Sequence, residues 1–146
     1  MKKRVISLLL ALVLALGLLP TAAWAAETDV SALPEFSKGA DTSTIQKFKI
    51  SSADSLKALA TAVKDNDGKG AYNLKGLTFY LANDIELSGK WTPISDVAYP
   101  ADAFAGTFDG NGHTISGLNG SNGLFGFVNG ATIKNLKVEG TISGPT

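Results

Sequence analysis

Gly112-His113-Thr114-Ile115-Ser116-Gly117-Leu118 returns eighteen positions further on as Gly130-Ala131-Thr132-Ile133-Lys134-Asn135-Leu136. Gly, Thr, Ile and Leu recur in register while the positions between them drift. A fixed period of this size reads as a solenoid, each repeat one turn of a stack. It places Ile115 directly over Ile133 and Leu118 over Leu136. Working outward, short apolar runs fall at residues 77–81, 85–87, 104–108, 114–118, 124–128 and 132–138, which read as strands of about five residues. Asn-Gly at Asn111, Asn119, Asn122 and Asn129, and Asp-Gly at Asp67 and Asp109, separate them. These dipeptides suit positive φ and are also hairpin signals. The competing fold is therefore an antiparallel β meander or sandwich.

Upstream, Leu56, Leu59, Ala60 and Val63 fall at i, i+3, i+4 and i+7, the stripe of one amphipathic helix. Ser51-Ser52-Ala53-Asp54 fits its N-terminal box, and Asp65-Asn66-Asp67-Gly68 stops it. Such a helix would cover the open first rung of a stack, whose bare edge would otherwise invite aggregation. A short strand at Phe48-Lys49-Ile50 opens the ordered region. Residues 26–47 carry Asp, Ser, Thr, Pro34 and Gly39 without a period and read as a flexible linker.

The N-terminus has a different character. Lys2, Lys3 and Arg4 precede an apolar run from Val5 to Leu19, Pro20 ends it, and Ala23-Trp24-Ala25 supplies an A-x-A site. This is the pattern of a secretory signal peptide over residues 1–25, cleaved after Ala25. The run is shorter than the roughly 20 apolar residues of a membrane span. Loss of Lys2, Lys3 and Arg4 from 13 basic residues leaves 10 against 13 acidic ones, a mature net charge near −3. That balance argues against nucleic acid and against anionic lipid as partners, so neither nucleic acid nor membrane is expected after cleavage. The chain has no cysteine, so its stability must come from its own core.

Several stretches resemble a known family: residues 50–59 (ISSADSLKAL), 79–87 (FYLANDIEL), 91–94 (WTPI), 104–115 (FAGTFDGNGHTI), and 122–126 (NGLFG) through 133–140 (IKNLKVEG). They are similar to secreted bacterial surface proteins with a right-handed parallel β-helix, and the last pair resembles the GLUG repeat. The likeness covers about residues 48–144. It implies an all-β, right-handed parallel β-helix (solenoid) segment with one N-terminal capping α-helix, at residues 48–146. GLUG repeats occur in adhesin-like proteins and beside some immunoglobulin-cleaving metallopeptidases of Gram-positive bacteria. Relatives carry many repeats, so this chain reads as a fragment with an uncapped last rung, through which it would self-associate. The function implied is an exported, non-catalytic surface or adhesion module presenting loops to host or cell-wall glycans or proteins. The alternative is part of a β-helix carbohydrate-active enzyme, or the accessory domain of a secreted peptidase.

The candidate residues fit the non-catalytic reading. His113 is the only histidine, and a catalytic imidazole needs a nucleophile and an orienting acid. Asp109 heads Asp-Gly-Asn-Gly, which offers too few oxygens for calcium and suits an Asx turn. Asp84 and Glu86 alternate with Ile85 and Leu87 and could flank a glycosidic bond, but alternation alone predicts polar residues there. Asn135 could join an amide ladder, which the eighteen-residue alignment breaks by setting Gly117 opposite. Trp91, Tyr72, Tyr80 and Tyr99 could stack on sugar rings. Of these, Trp91 and Tyr99 lie in or beside the longest irregular stretch and are the expected ligand contacts, with packing of Trp91 inside the stack as the competing role. With one His and no Cys, neither a metal nor another cofactor is expected.

Overall fold

The structure, a computed structural model, describes residues 29–64, 73–96 and 103–144. Among these residues, seven strands and one α-helix follow a 3₁₀ turn at Val30–Ala32. In chain order these are β1 (Lys47–Ile50), α1 (Ala53–Lys64), β2 (Thr78–Leu81), β3 (Ile85–Glu86), β4 (Thr107–Asp109), β5 (Thr114–Gly120), β6 (Thr132–Lys134) and β7 (Lys137–Ile142). The strands form a four-stranded sheet, β1-β2-β4-β6, and a three-stranded sheet, β3-β5-β7. Every pairing within them is parallel. After α1 the chain visits the two sheets in turn, and each visit adds one strand beside the last.

This arrangement corrects the sequence-based fold. The expected all-β, right-handed parallel β-helix is not closed: two separate parallel sheets and a helix take its place. Among the described residues the remaining side carries only isolated bridges, Ile94 with Phe125 and Phe104 with Val128. Backbone bonds do cross this side, from the Ile94 amide to Leu124 O and from the Gly126 amide to Ile94 O (both 2.9 Å), but they make bridges rather than named strands. The alternative, an antiparallel meander or sandwich, fails as well, because every strand pairing among the described residues is parallel.

The register also differs from the eighteen-residue alignment. Ile115 pairs with Ile85 and Val138, while Ile133 pairs with Phe108. Leu118 lies opposite Gly140, across an irregularity between Ile115 and Leu118. The two recurrent segments therefore belong to different sheets. The run at 132–138 is broken at Asn135, whose φ of 52° turns the chain from β6 into β7. Asparagine tolerates this left-handed backbone better than a branched residue does.

Alternation sets the core. Phe48, Phe79 and Phe108 align in register and are almost fully buried, and Ile85 and Ile115 do the same in the second sheet. Phe48 and Phe79 stack with ring centroids 5.8 Å apart, and Phe36 meets both edge-on at 5.2 and 5.3 Å. Phe36 comes from the stretch read as linker. There the Lys49 amide donates to Pro34 O (3.0 Å) and the Phe36 amide to Lys49 O (3.3 Å), so the free side of β1 is occupied.

Helix α1 buries Leu56, Leu59, Ala60 and Val63 into the same core. Ser52 caps it: the Ser55 amide donates to Ser52 Oγ at 3.1 Å, and the Ser52 amide to Ser55 Oγ at 3.1 Å. This is the reciprocal box with serine in place of the usual Glu or Gln. Among the described residues no helix is long and apolar enough to cross a membrane.

Candidate functional site

The outward face of the four-stranded sheet is built by the residues that alternate with the buried phenylalanines. Parallel register turns them into two columns. One runs Lys47, Thr78, Thr107, Thr132; the other runs Lys49, Tyr80, Asp109, Lys134. With strands about 4.8 Å apart, each column presents like-spaced groups across the sheet. Tyr80 is half-buried between Lys49 on one side and Asp109 on the other. Its ring offers an apolar body with a hydroxyl tip, flanked by the Lys49 ammonium, the Asp109 carboxylate and a row of threonine hydroxyls.

Asp109 anchors the C-terminal side of this face. Its Oδ1 accepts from the Asn111 amide at 2.9 Å, an Asx turn, and from Asn135 Nδ2 at 3.1 Å. Lys134 Nζ lies 3.1 Å from Oδ2. The side chain is only 9% exposed. Burial pushes its carboxyl up, but the Asn111 amide, the Asn135 amide and the Lys134 ammonium outweigh that and hold it below the ordinary aspartate value. It is therefore an ionised staple between β4 and β6, with its oxygens committed to the protein.

Beside the columns, an asparagine occupies each turn from the first sheet into the second. Asn83 Nδ2 donates to Ser51 O (3.0 Å), Asn111 Nδ2 to Leu81 O (3.5 Å), and Asn135 Nδ2 to Asp109 Oδ1. Each reaches back to the preceding rung. Asn135 does belong to an amide series, but its neighbour in that series is Asn111 rather than Gly117. The signal was present in the sequence as Asn83 and Asn111 between successive apolar runs and Asn135 within the run at 132–138. The eighteen-residue alignment hid it by matching the wrong turns.

Around this corner, Asp84 Oδ1 accepts from the Thr114 amide at 2.9 Å and lies 3.2 Å from His113 Nδ1. The Thr114 amide first, and the His113 ring second, hold the Asp84 carboxyl below its usual range. Histidine thus has the orienting acid that sequence reasoning asked for. Ser116 instead faces Glu86 across the β3–β5 pair, so the sequence neighbours do not converge on a triad. Asp84 and Glu86 share β3 or its entry, and both are exposed. An ionised, hydrogen-bonded Asp84 is poorly suited to act as a general acid, which needs a raised pKa.

The aromatics separate clearly. Trp91 is 5% exposed and its indole N–H donates to Leu124 O at 3.1 Å, so its faces are used in packing. Tyr99 and Tyr72 lie outside the described residues, as do Ala25 and the rest of the stretch 1–25 read as a signal peptide. Tyr80 is left as the aromatic on an open sheet face. Among the described residues no group of three His, Asp or Glu side chains could hold a metal ion. A groove of about 500 Å³ lies beside α1, lined in part by Phe36, Ala40, Asp41, Ser43, Ala62 and Leu74. Comparison with protein-family models, with curated proteins and with solved structures finds no match to this chain.

Proposed function

We propose that the chain is an exported, non-catalytic surface or adhesion module: a stacked scaffold offering the outward face of its four-stranded sheet to glycans or proteins. The observation that carries the reading is the register Lys49–Tyr80–Asp109–Lys134, with threonines alongside. A sugar ring lays its C–H face on an aromatic ring while its hydroxyls take hydrogen bonds from neighbouring polar groups. Export rests on the leader-like residues 1–25, and the resemblance to GLUG-type surface proteins points the same way. A host- or wall-borne glycan is the favoured ligand class.

A second reading, part of a carbohydrate-active enzyme or the accessory domain of a secreted peptidase, is favoured by one contact, Asp84 with His113. Both readings are tested on an array of host and cell-wall glycans, with polysaccharide hydrolysis measured in parallel. The module reading expects binding that Tyr80→Ala weakens about tenfold, the worth of one aromatic contact, with the thermal transition retained. Binding indifferent to Tyr80→Ala and Lys49→Ala would remove the sheet face. Hydrolysis abolished by His113→Ala would establish the enzyme instead.

A further inference from the structure

We propose that the ligand of the sheet face is a polyuronate, a glycan chain with one carboxylate per sugar, laid along β1 and β2 with successive acids on Lys47 and Lys49. This rests on the sheet face being the binding surface and adds the chemistry of what it binds. The charges divide that face in two. Toward β6, Lys134 is taken up by Asp109 at 3.1 Å. On β1 the cations are uncommitted: among the described residues neither Lys47 nor Lys49 forms an ion pair or a side-chain hydrogen bond. Glu35 is the register partner of Lys49 on its other side. Its carboxylate is held by Ser51, whose amide donates at 3.3 Å and whose hydroxyl donates at 2.8 Å. Phe48, between the two lysines, is 1% exposed, so both lysines stand on the outward face.

Two steps along a strand separate Lys47 from Lys49 by about 6.7 Å, and one strand spacing of about 4.8 Å sets Thr78 beside Lys47 and Tyr80 beside Lys49. The four residues make a small rectangle, with two cations along one edge and a hydroxyl and an aromatic ring along the other. A sugar laid on the Tyr80 ring turns its carboxylate to Lys49. The next sugar's carboxylate meets Lys47, and Thr78 takes one of its hydroxyls. Lysine suits this role, because a point charge on a flexible stem demands no fixed planar geometry of the acid.

Charge density selects a polyuronate over more heavily charged polymers. The cationic pair is bounded by Glu35 on one side and by Asp109, one strand beyond Tyr80, on the other. The whole chain balances 13 basic against 13 acidic residues, so no wider positive field supports the pair. A sulfated glycan or a polyphosphate carries more charge than two lysines answer and meets the flanking carboxylates. A neutral glycan forgoes the attraction of both ammonium groups.

The test uses the purified chain and three oligosaccharides of equal length: an oligoglucuronate, its carboxyl-reduced neutral form, and a heparin fragment. Titration calorimetry at low salt should rank the oligoglucuronate first, with the neutral form about tenfold weaker. Lys47→Gln and Lys49→Gln should each weaken oligoglucuronate binding about threefold, and together about tenfold. Lys47→Arg with Lys49→Arg, which keeps both charges, should hold it within about twofold. Raising salt from about 20 mM to about 300 mM should erase the preference over the neutral form, because exposed charges are screened. The thermal transition should stay in place throughout, since neither lysine has an ion-pair partner to lose. Equal binding of the charged and reduced oligomers, tighter binding of heparin, or a Lys47→Gln, Lys49→Gln double variant that binds as well as the native chain would overturn the proposal. If a neutral glycan still binds and Tyr80→Ala weakens it, the sheet face stands and only the acid is lost. Binding of no glycan at all would remove both.

Discussion

Removing the Asp109 carboxylate tests whether the rungs are stapled as described. Asp109→Ala deprives the Asn111 amide, the Asn135 side-chain amide and the Lys134 ammonium of their shared acceptor. Two neutral donors are worth about 1 kcal/mol each, and the half-exposed lysine adds a fraction of that, so the expected loss is about 2–3 kcal/mol. Asp109→Asn keeps an acceptor oxygen for the turn and should lose only about 1 kcal/mol. Urea denaturation at neutral pH reads both, and a double-mutant cycle with Asn135→Ala isolates the contact between rungs.

The pH dependence has a definite sign. A carboxyl whose folded pKa lies below its unfolded value stabilises the fold above about pH 4. That stabilisation fades as pH falls through the lower, folded pKa. The gap between the native chain and Asp109→Asn should therefore shrink as pH falls below about 4. A loss below about 0.5 kcal/mol for Asp109→Ala, or a gap independent of acid, would refute the staple.

Two further perturbations probe the stack. Phe79→Ala removes a 0%-exposed ring at the centre of the phenylalanine column and should cost about 3–5 kcal/mol, whereas Ile133→Ala, in the same column at 42% exposure, should cost clearly less in the same urea titration. Gly140→Ala would drive a Cβ into Leu118 O across the β5–β7 pair and should destabilise the fold, while Gly144→Ala, with open space around it, should leave the midpoint unchanged.

The local structure was largely written in the sequence, because it depends on near neighbours. The α1 stripe of Leu56, Leu59, Ala60 and Val63 is buried where the helical period put it, and Ser52 caps where a hydroxyl was expected. Thr78–Leu81 and Ile85–Glu86 fall within runs read as strands. Long-range register was not legible. The segments at Thr114 and Thr132 look alike because both are strands following a turn with Gly, Thr and an apolar residue. Nothing local says that a bend at Asn135 sends the second into the other sheet after three residues. The site suffered from the same error. Tyr80 was one aromatic among four until β1, β2, β4 and β6 set it between Lys49 and Asp109. Trp91 was attractive because its loop looked irregular, but a large indole beside Leu124 gains more from burial and one hydrogen bond than from exposure.

The central claim is the parallel register that brings β4 beside β6, and paired cysteines in this cysteine-free chain test it most directly. Thr107 and Thr132 are direct partners across β4 and β6, about 4.8 Å apart by strand spacing and so within disulfide range. Thr107→Cys with Thr132→Cys should close an intramolecular disulfide under mild oxidation. Thr114→Cys with Thr132→Cys, the pair that the eighteen-residue recurrence would superpose, should stay reduced. Closure of the second pair and not the first would contradict the account.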